Sequence, residues 1–403
     1  MPEAFRLLPD GTVTSPRGFR AGAVRAGIRT DVDRLDLGIL CSEVSCTATA
    51  VYTSNNVKAA PLIVSREHLS DGRAQAVIAN SGCANAGTGE VGMKDARAMA
   101  ERTSASLGMD PSDVLVASTG VIGTYLPMER ITESIPEIEV STHGGTDFAH
   151  AIMTTDSRPK YVAAQFQDGG RTFTLGGVAK GAGMIHPNMA TMLCFLTTDA
   201  EVEFSFLDAS LRAVVAATFN MIDVDNDTST NDTVAIMANG LAGGGPIDNH
   251  HSAAASFQAA LFEVCRQLAR AIVEDAEGAT KVIGVDVEGA ASPEDAQAVA
   301  KEVVRSVGVK TAIYGHDPNW GRILAAVGNS GALMEERQTA LWLADQCLFR
   351  GEPQGFDVID AKAHLTGREV RIRVHLGMGE GRATAWGSDI TEEYIRRNSQ
   401  YTT

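Results

Sequence analysis

The chain has 403 residues, of which 44% are hydrophobic, and 34 basic against 50 acidic side chains leave a net charge of −16. That length supports two or three domains around a sizeable core. The absence of any lysine- or arginine-rich block argues against nucleic acid as a partner, and no apolar run approaches the length of a membrane span. Aromatic residues are only 5% while glycine reaches 40 residues, so the cores are expected to be aliphatic and closely packed, with many tight turns.

The N-terminal segment MPEAFRLLPDG has no apolar signal core, and Glu3 and Asp10 argue against an organelle presequence. Six cysteines (Cys41, Cys46, Cys83, Cys194, Cys265, Cys347) are scattered with no CxxC pair, which argues against a zinc site or a disulfide scaffold. A cytoplasmic enzyme in a reducing compartment is the expectation.

In chain order, residues 35–65 read as strand, turn, strand: LDLGILCS, then TATAVYTSN, then APLIVS. AVIANSG at 76–82 is a further strand, 94–107 has helical composition, and VLVAS at 114–118 is a strand ending in a turn. The runs at 161–179 suggest a hairpin turning at Asp168-Gly169-Gly170. MLCFLTTDA continues the β pattern, and 205–220 looks helical. Leu261, Cys265, Leu268 and Ile272 share one face of a helix from about 256 to 275. Between those helices, 238–256 is a glycine-rich loop. Past Lys281, VIGVDV reads as a strand. Ser292 then caps a helix with Pro293 in its first turn, and Ala296, Val299, Val303 and Val307 extend its apolar face. VKTAIYG is expected as a strand and 320–327 as a helix. Two more strands, FDVIDAKAHLTG and REVRIRVHLG, and a helix at 391–397 close the chain. The change of pattern after Lys281 suggests a separate α+β lobe of about 120 residues.

The run KGAGMIHPNMATMLCFLTTDA, from Lys180 to Ala200, carries the chemistry. A glycine-rich approach leads to Ala190 and Thr191, and an apolar strand follows at once. A threonine there is placed for self-cleavage: its hydroxyl attacks the Ala190 carbonyl, the peptide becomes an ester, and water splits it. Thr191 then holds a hydroxyl nucleophile and a free α-amine whose ordinary pKa, roughly 7.7–8.0, suits it as its own general base. Taken alone, a buried β-branched residue opening a core strand is the blander account of Thr191.

The wider pattern resembles the ornithine acetyltransferases (glutamate N-acetyltransferases) of arginine biosynthesis. The blocks that carry the resemblance are GFRAGAVRAGIR, NNVKAAP, ANSGCANAGTG, ASTGVIG, MTTDSRPK, KGAGMI with NMATML, DNDTSTNDT, EDAEGATK, HDPNWGRI and the closing YIRRNSQYTT, in one order over nearly the whole chain. Small departures are Cys83 among small residues and Tyr52 where phenylalanine is expected.

The resemblance implies an N-terminal-nucleophile-like α/β/β/α layered catalytic domain over 1–280, self-cleaved between Ala190 and Thr191 into an α chain (1–190) and a β chain (191–403). A smaller C-terminal α+β domain would cover 281–403. It implies an acetyltransferase that moves the acetyl group of N2-acetyl-L-ornithine to L-glutamate through an acetyl-threonine intermediate, with acetyl-CoA open as a second donor and no cofactor. Thr191 would be the nucleophile, and Thr119 and Gly120 the oxyanion hole, where a backbone N–H and a hydroxyl face the developing charge. Substrate contacts would come from Thr154 (with Thr155 one residue away in register), Lys180, Thr191, Glu277, Asn398 and Thr403. Lys180 offers a cation to a carboxylate; Glu277 would hold an ammonium group or position the Thr191 amine. The implied assembly is a heterotetramer of two α and two β chains. The alternatives are an autoprocessed aminopeptidase or amidase of related fold and a non-catalytic amino-acid-binding protein.

Other chemical signals are weak. Asp223 to Asp227 begins like a calcium loop but has Thr228 and Val234 where that loop needs glycine and glutamate, so a polar turn bordering the site is expected. His250 and His251 are adjacent on the glycine-rich loop and do not converge as metal ligands. Gly181-Ala182-Gly183 and Gly243-Gly244-Gly245 lack the context of nucleotide loops, and no GxSxG elbow exists.

Overall fold

The computed structural model describes residues 4–29, 34–186 and 192–400. The strands are β1 (Arg6–Leu8), β2 (Phe19–Val24), β3 (Leu37–Tyr52), β4 (Arg73–Cys83), β5 (Val114–Val121), β6 (Lys160–Asp168), β7 (Arg171–Lys180), β8 (Leu193–Thr198), β9 (Ile222–Asp223), β10 (Thr233–Ala238), β11 (Val282–Ala290), β12 (Ala340–Leu343), β13 (Gln346–Arg350), β14 (Glu369–His375) and β15 (Gly381–Ser388). The helices are α1 (Ala60–His68), α2 (Gly89–Leu107), α3 (Met128–Ser134), α4 (Gly145–Ala151), α5 (Phe204–Ala217), α6 (Ala254–Glu274), α7 (Pro293–Arg305), α8 (Val307–Tyr314), α9 (Trp320–Asn329), α10 (Val358–His364) and α11 (Glu392–Gln400).

Two sheets organise them. The larger runs β1-β6-β7-β8-β10-β3-β4-β5, with β2 also on β3; the smaller runs β13-β12-β14-β11-β15-β9. The hairpin expected at Asp168 to Gly170 is β6–β7, whose antiparallel register runs from Asp168 opposite Arg171 to Lys160 opposite Ala179. One face of the larger sheet packs aliphatic side chains of β7, β8 and β10 against α5 and α6. The opposite face is covered in part by Phe148 of α4 and Phe19 of β2. The smaller sheet buries its own apolar face under α7, α8 and α9. The layered α+β architecture expected from the sequence is therefore present.

The helix start at Ser292 is as expected: Ser292 Oγ accepts the Asp295 N–H, with Pro293 in the first turn. Three expected strands are instead helical. APLIVS forms α1, with Pro61 in its first turn. VKTAIYG lies in α8, where Ser306 Oγ accepts the Val309 N–H. FDVIDAKAHLTG holds α10, capped by Asp357, which accepts the Ile359 and Asp360 N–H groups. The turn expected inside 35–65 is absent: LDLGILCS and TATAVYTSN fall largely within one 16-residue strand, β3.

What the fold does for function is bring strand ends together. β8 lies between β7 and β10, antiparallel to the first and parallel to the second, so Lys180, Leu193 and Thr233 stand side by side. β4 and β5 run parallel, with Thr119 and Gly120 at the far end.

Candidate active site

A cavity opens where these strand ends meet. Thr119, Gly120, Thr154, Thr155, Lys180, Gly183, Glu277 and Asn398 line it, together with Asp225, Asp227, Ser229, Asn231 and Tyr394. The structure thus gathers five of the residues expected from the sequence, Thr119, Thr154, Lys180, Glu277 and Asn398, around one space with Gly120. Both threonines at 154–155 border it. Ala190, Thr191 and Thr403 lie outside the described residues, as do 30–33 and the other residues of 187–191.

Gly120 is a glycine for a physical reason. Its φ is +132°, and a Cβ there would fall 2.3 Å from the carbonyl carbon of Gly82 on the neighbouring strand. Any side chain would force β4 and β5 apart. Beside it, Thr119 is buried, and its Oγ1 accepts a hydrogen bond from Lys180 Nζ at 2.9 Å. A hydroxyl that accepts from a cation keeps its own proton for another acceptor. That is the bonding state an oxyanion donor needs.

Lys180 is buried at the end of β7. Burial pushes its pKa down, and the charges of Asp156, Asp232 and Glu277 pull against that. Glu277 seals another wall. Its carboxyl lies so close to Gly183 that a Cβ on residue 183 would come within 2.6 Å of it. Asn398 Nδ2, on α11, donates to Glu277 Oε2 at 2.9 Å. The C-terminal helix therefore reaches the cavity through Asn398 and Tyr394. Thr154 is held on its backbone: its N–H donates to Asp156 Oδ2 (3.0 Å) and its carbonyl accepts from Arg29 Nη1 (2.9 Å).

The polar turn expected near 223–227 works as a clamp. Asp225 Oδ2 accepts the Met184 N–H at 2.6 Å and the Tyr394 hydroxyl at 3.2 Å, and Oδ1 accepts the Ile185 N–H at 2.8 Å. The segment entering 187–191 is thereby tied to α11. One residue on, His186 Nδ1 lies 2.9 Å from Asp223 Oδ1, and buried Lys310 lies 2.9 Å from the other oxygen.

Several site residues escaped the sequence reading. Asn231 Nδ2 donates to the carbonyls of Ala84 and Ser118, at 2.6 and 2.8 Å, and so ties the turn that holds Thr119 and Gly120 to the approach of β10. Asp232 Oδ1 accepts the Met192 N–H at 2.8 Å. Asp156 sits under Lys160 and Gly181. The available signal was the block DNDTSTNDT: nine polar residues leading straight into an apolar strand, of which 229–233 are buried. Polar residues in the interior have partners, so a buried polar run beside a strand marks a built network.

Comparison with known proteins gives one consistent result. The family model described as the ArgJ family matches residues 20–403. The chain is 47% identical over 405 residues to the arginine biosynthesis bifunctional protein ArgJ of Dehalococcoides mccartyi strain CBDB1, covering 100% of both. It is 45% identical to the ArgJ of Bacillus subtilis strain 168, covering 98% of this chain and 97% of that one. A solved structure of the Bacillus halodurans ArgJ aligns with a TM-score of 0.50 at 44% identity, over 51% of this chain and 98% of that chain.

Proposed function

The chain belongs to the ArgJ family, and from that premise we propose that it is a glutamate N-acetyltransferase with N2-acetyl-L-ornithine as donor. It is an acetyltransferase of arginine biosynthesis. Its finer chemistry starts with self-cleavage between Ala190 and Thr191, giving an α chain 1–190 and a β chain 191–403. The freed Thr191 hydroxyl, with its own amine as base, attacks the acetyl carbonyl of N-acetylornithine. Thr119 and Gly120 stabilise the oxyanion, ornithine departs, and an acetyl-threonine ester remains. The amine of glutamate then takes the acetyl group.

One observation carries the reading: the Lys180–Thr119 hydrogen bond in the wall of a cavity that also holds Gly120, Thr154, Glu277 and Asn398. A buried lysine on a threonine hydroxyl, with a carboxylate across the same space, supports a hydroxyl donor, a cation for substrate carboxylates and a partner for an ammonium group. Asn398 and Tyr394 bring α11 over the same cavity, where it would keep water from the ester until glutamate arrives. The half-length match of the solved relative, 98% of that chain on 51% of this one, also fits a polypeptide cut near its middle.

The remaining assignments follow from the resemblance. The catalytic domain is 1–280 and the second 281–403, the latter beginning at β11 with its own core. The assembly is two α and two β chains, and the site of action the cytoplasm; among the described residues no helix is long and apolar enough to cross a membrane.

Intact mass spectrometry of the purified protein and of Thr191→Ala tests this. The wild type is expected as two chains, the variant as one chain without transferase activity. Incubation with N-acetylornithine and glutamate is expected to yield acetylglutamate. Free acetate would identify a hydrolase instead, and an uncut, inactive wild type a binding protein. Replacing N-acetylornithine with acetyl-CoA in the same assay reads out the second donor.

A further inference from the structure

An acetyl group asks two things of a binding site. Its carbonyl oxygen needs donors as charge develops on it, and its methyl needs carbon to lie against. Among the described residues that line the cavity, Ala84, Ile122 and Met184 carry the non-aromatic apolar side chains. Met184 belongs to the acidic side, its N–H donating to Asp225 Oδ2 at 2.6 Å. Ala84 and Ile122 belong to the side of Thr119 and Gly120. The Ala84 N–H donates to the Val121 carbonyl at 3.0 Å, and Ile122 follows Val121 in the chain. One amide locks the parts together: Asn231 Nδ2 donates to the Ala84 carbonyl at 2.6 Å and to the Ser118 carbonyl at 2.8 Å. Ala84 is buried, and Ile122 packs against the cluster that Ala84 forms with buried Ala59 and Ala86. The wall is carbon backed by carbon, fixed by hydrogen bonds to the turn that carries Thr119 and Gly120.

We propose that Ala84 and Ile122 are the acyl-selecting wall of the enzyme: they take the methyl of the transferred group and favour acetyl over longer acyl chains. The inference rests on Thr119 and Gly120 as the oxyanion donors of the proposed function and deepens that reading. With the carbonyl oxygen on those donors, the methyl is one bond from the same carbon, and the apolar groups fixed to that turn are what it meets. Burying the methyl there is favourable. An added methylene has to displace side chains in a closely packed interior, and a hydrophobic pocket discriminates one methylene by about 10–200-fold. Lys180 and Glu277, on the other walls, read the amino-acid part, so the two selections are separable.

The experiment is a competition. Equal amounts of N-acetylornithine and N-propionylornithine are given to the processed enzyme with glutamate, and mass spectrometry reads the ratio of acetylglutamate to propionylglutamate. That ratio reports relative kcat/KM and does not depend on how much of the enzyme is active. Ile122→Ala and Ala84→Gly cut the wall back, and each is expected to shift the ratio toward propionyl by about tenfold. A second competition, N-acetylornithine against N-acetyllysine, adds the methylene at the amino-acid end instead; its ratio of released ornithine to lysine is expected to stay as in wild type. An unchanged acetyl-to-propionyl ratio in both variants overturns the proposal. So does a shift confined to the ornithine-to-lysine ratio, which would put the amino-acid side chain on this wall. Ile122 is half-buried, so Ile122→Ala keeps the test open should Ala84→Gly fail to fold. A wild type that makes no acylglutamate would sink the proposed function instead, and the ratio of free acetate to free propionate would then read the wall.

Discussion

Two buried lysines at the ends of neighbouring strands stand in opposite states. Lys160 opens β6 and Lys180 closes β7, in the same hairpin. Lys160 is saturated, with Nζ lying 2.6 Å from both Asp156 Oδ1 and Asp275 Oδ2. Asp156 is saturated too, its oxygens also accepting the Gly181 and Thr154 N–H groups. Burial would raise the Asp156 pKa, but the Lys160 and Lys180 charges and these bonds bring it down to about 2. Around Lys180 the bonding among the described residues is sparser. Among the described residues its Nζ donates to a neutral hydroxyl, Thr119, and the Asp232 carboxyl across β8 has no cation on it at ion-pair distance. A closed set of charges holds the backbone; an open set has bonds left for a substrate or a transition state. On the proposed function, the difference separates scaffold from chemistry within a few residues of sequence.

The sharpest way to break that comparison is to open the closed set. Lys160→Met leaves Asp156 and Asp275 buried without their shared cation, and loss of one partner of a buried pair costs about 3–5 kcal/mol. The expected outcome is a large fall in thermal unfolding temperature. An unchanged melting curve would show that the Lys160 cluster is no scaffold. Thr119→Ala acts on the open set and is expected to leave stability nearly unchanged while slowing acetyl transfer by about 10²–10³-fold, as loss of one oxyanion donor does. Steady-state kinetics on the processed enzyme checks it; an unaltered kcat removes Thr119 from the mechanism.

The open set was more legible in the sequence than the closed one. Thr119, Gly120, Thr154, Lys180, Glu277 and Asn398 sit in blocks that resemble a known family, and the structure brings them to one cavity. Lys160, Asp232 and Asn231 act through contacts between strands distant in sequence, such as Asn231 to Ala84, and no local pattern reveals such a contact. Strands with long apolar or alternating runs were readable, as was the Ser292 cap. The errors at α1, α8 and α10 share one cause. Each is a short apolar run whose periodicity fits strand or helix equally. Pro61, Ser306 and Asp357 at the helix starts decided the outcome.

Acid titration sharpens the comparison, because the two carboxyls carry opposite signs. Asp156 has its pKa depressed from 3.8 to about 2. Its contribution, about 2 kcal/mol at 1.36 kcal/mol per pH unit, is present above pH 3.8 and lost as pH falls through about 2. Asp232 has its pKa raised, so its contribution is present below pH 3.8 and lost as pH rises toward the folded value. In a Thr191→Ala background, which keeps every chain uncut, Asp156→Asn is expected to destabilise most near pH 7 and least near pH 2. Asp232→Asn is expected to become relatively more favourable as pH rises. Parallel pH profiles for the two variants would erase the distinction.

The smallest effect expected is at the cavity rim. Asn398 is reached only through α11, and its amide donates to Glu277 Oε2 at 2.9 Å. Removing that donor with Asn398→Ala leaves the Glu277 carboxyl less fixed without touching Thr119 or Lys180. A hydrogen bond to a charged group is worth about 1.5–3 kcal/mol, so KM for the amino-acid substrates is expected to rise by about tenfold or more. The kcat is expected to hold, because the interaction is the same in ground and transition states. A fall in kcat at constant KM would move Asn398 from the rim into the group that acts on the reacting atoms. The division between closed scaffold and open site would then have to be drawn to include the C-terminal helix.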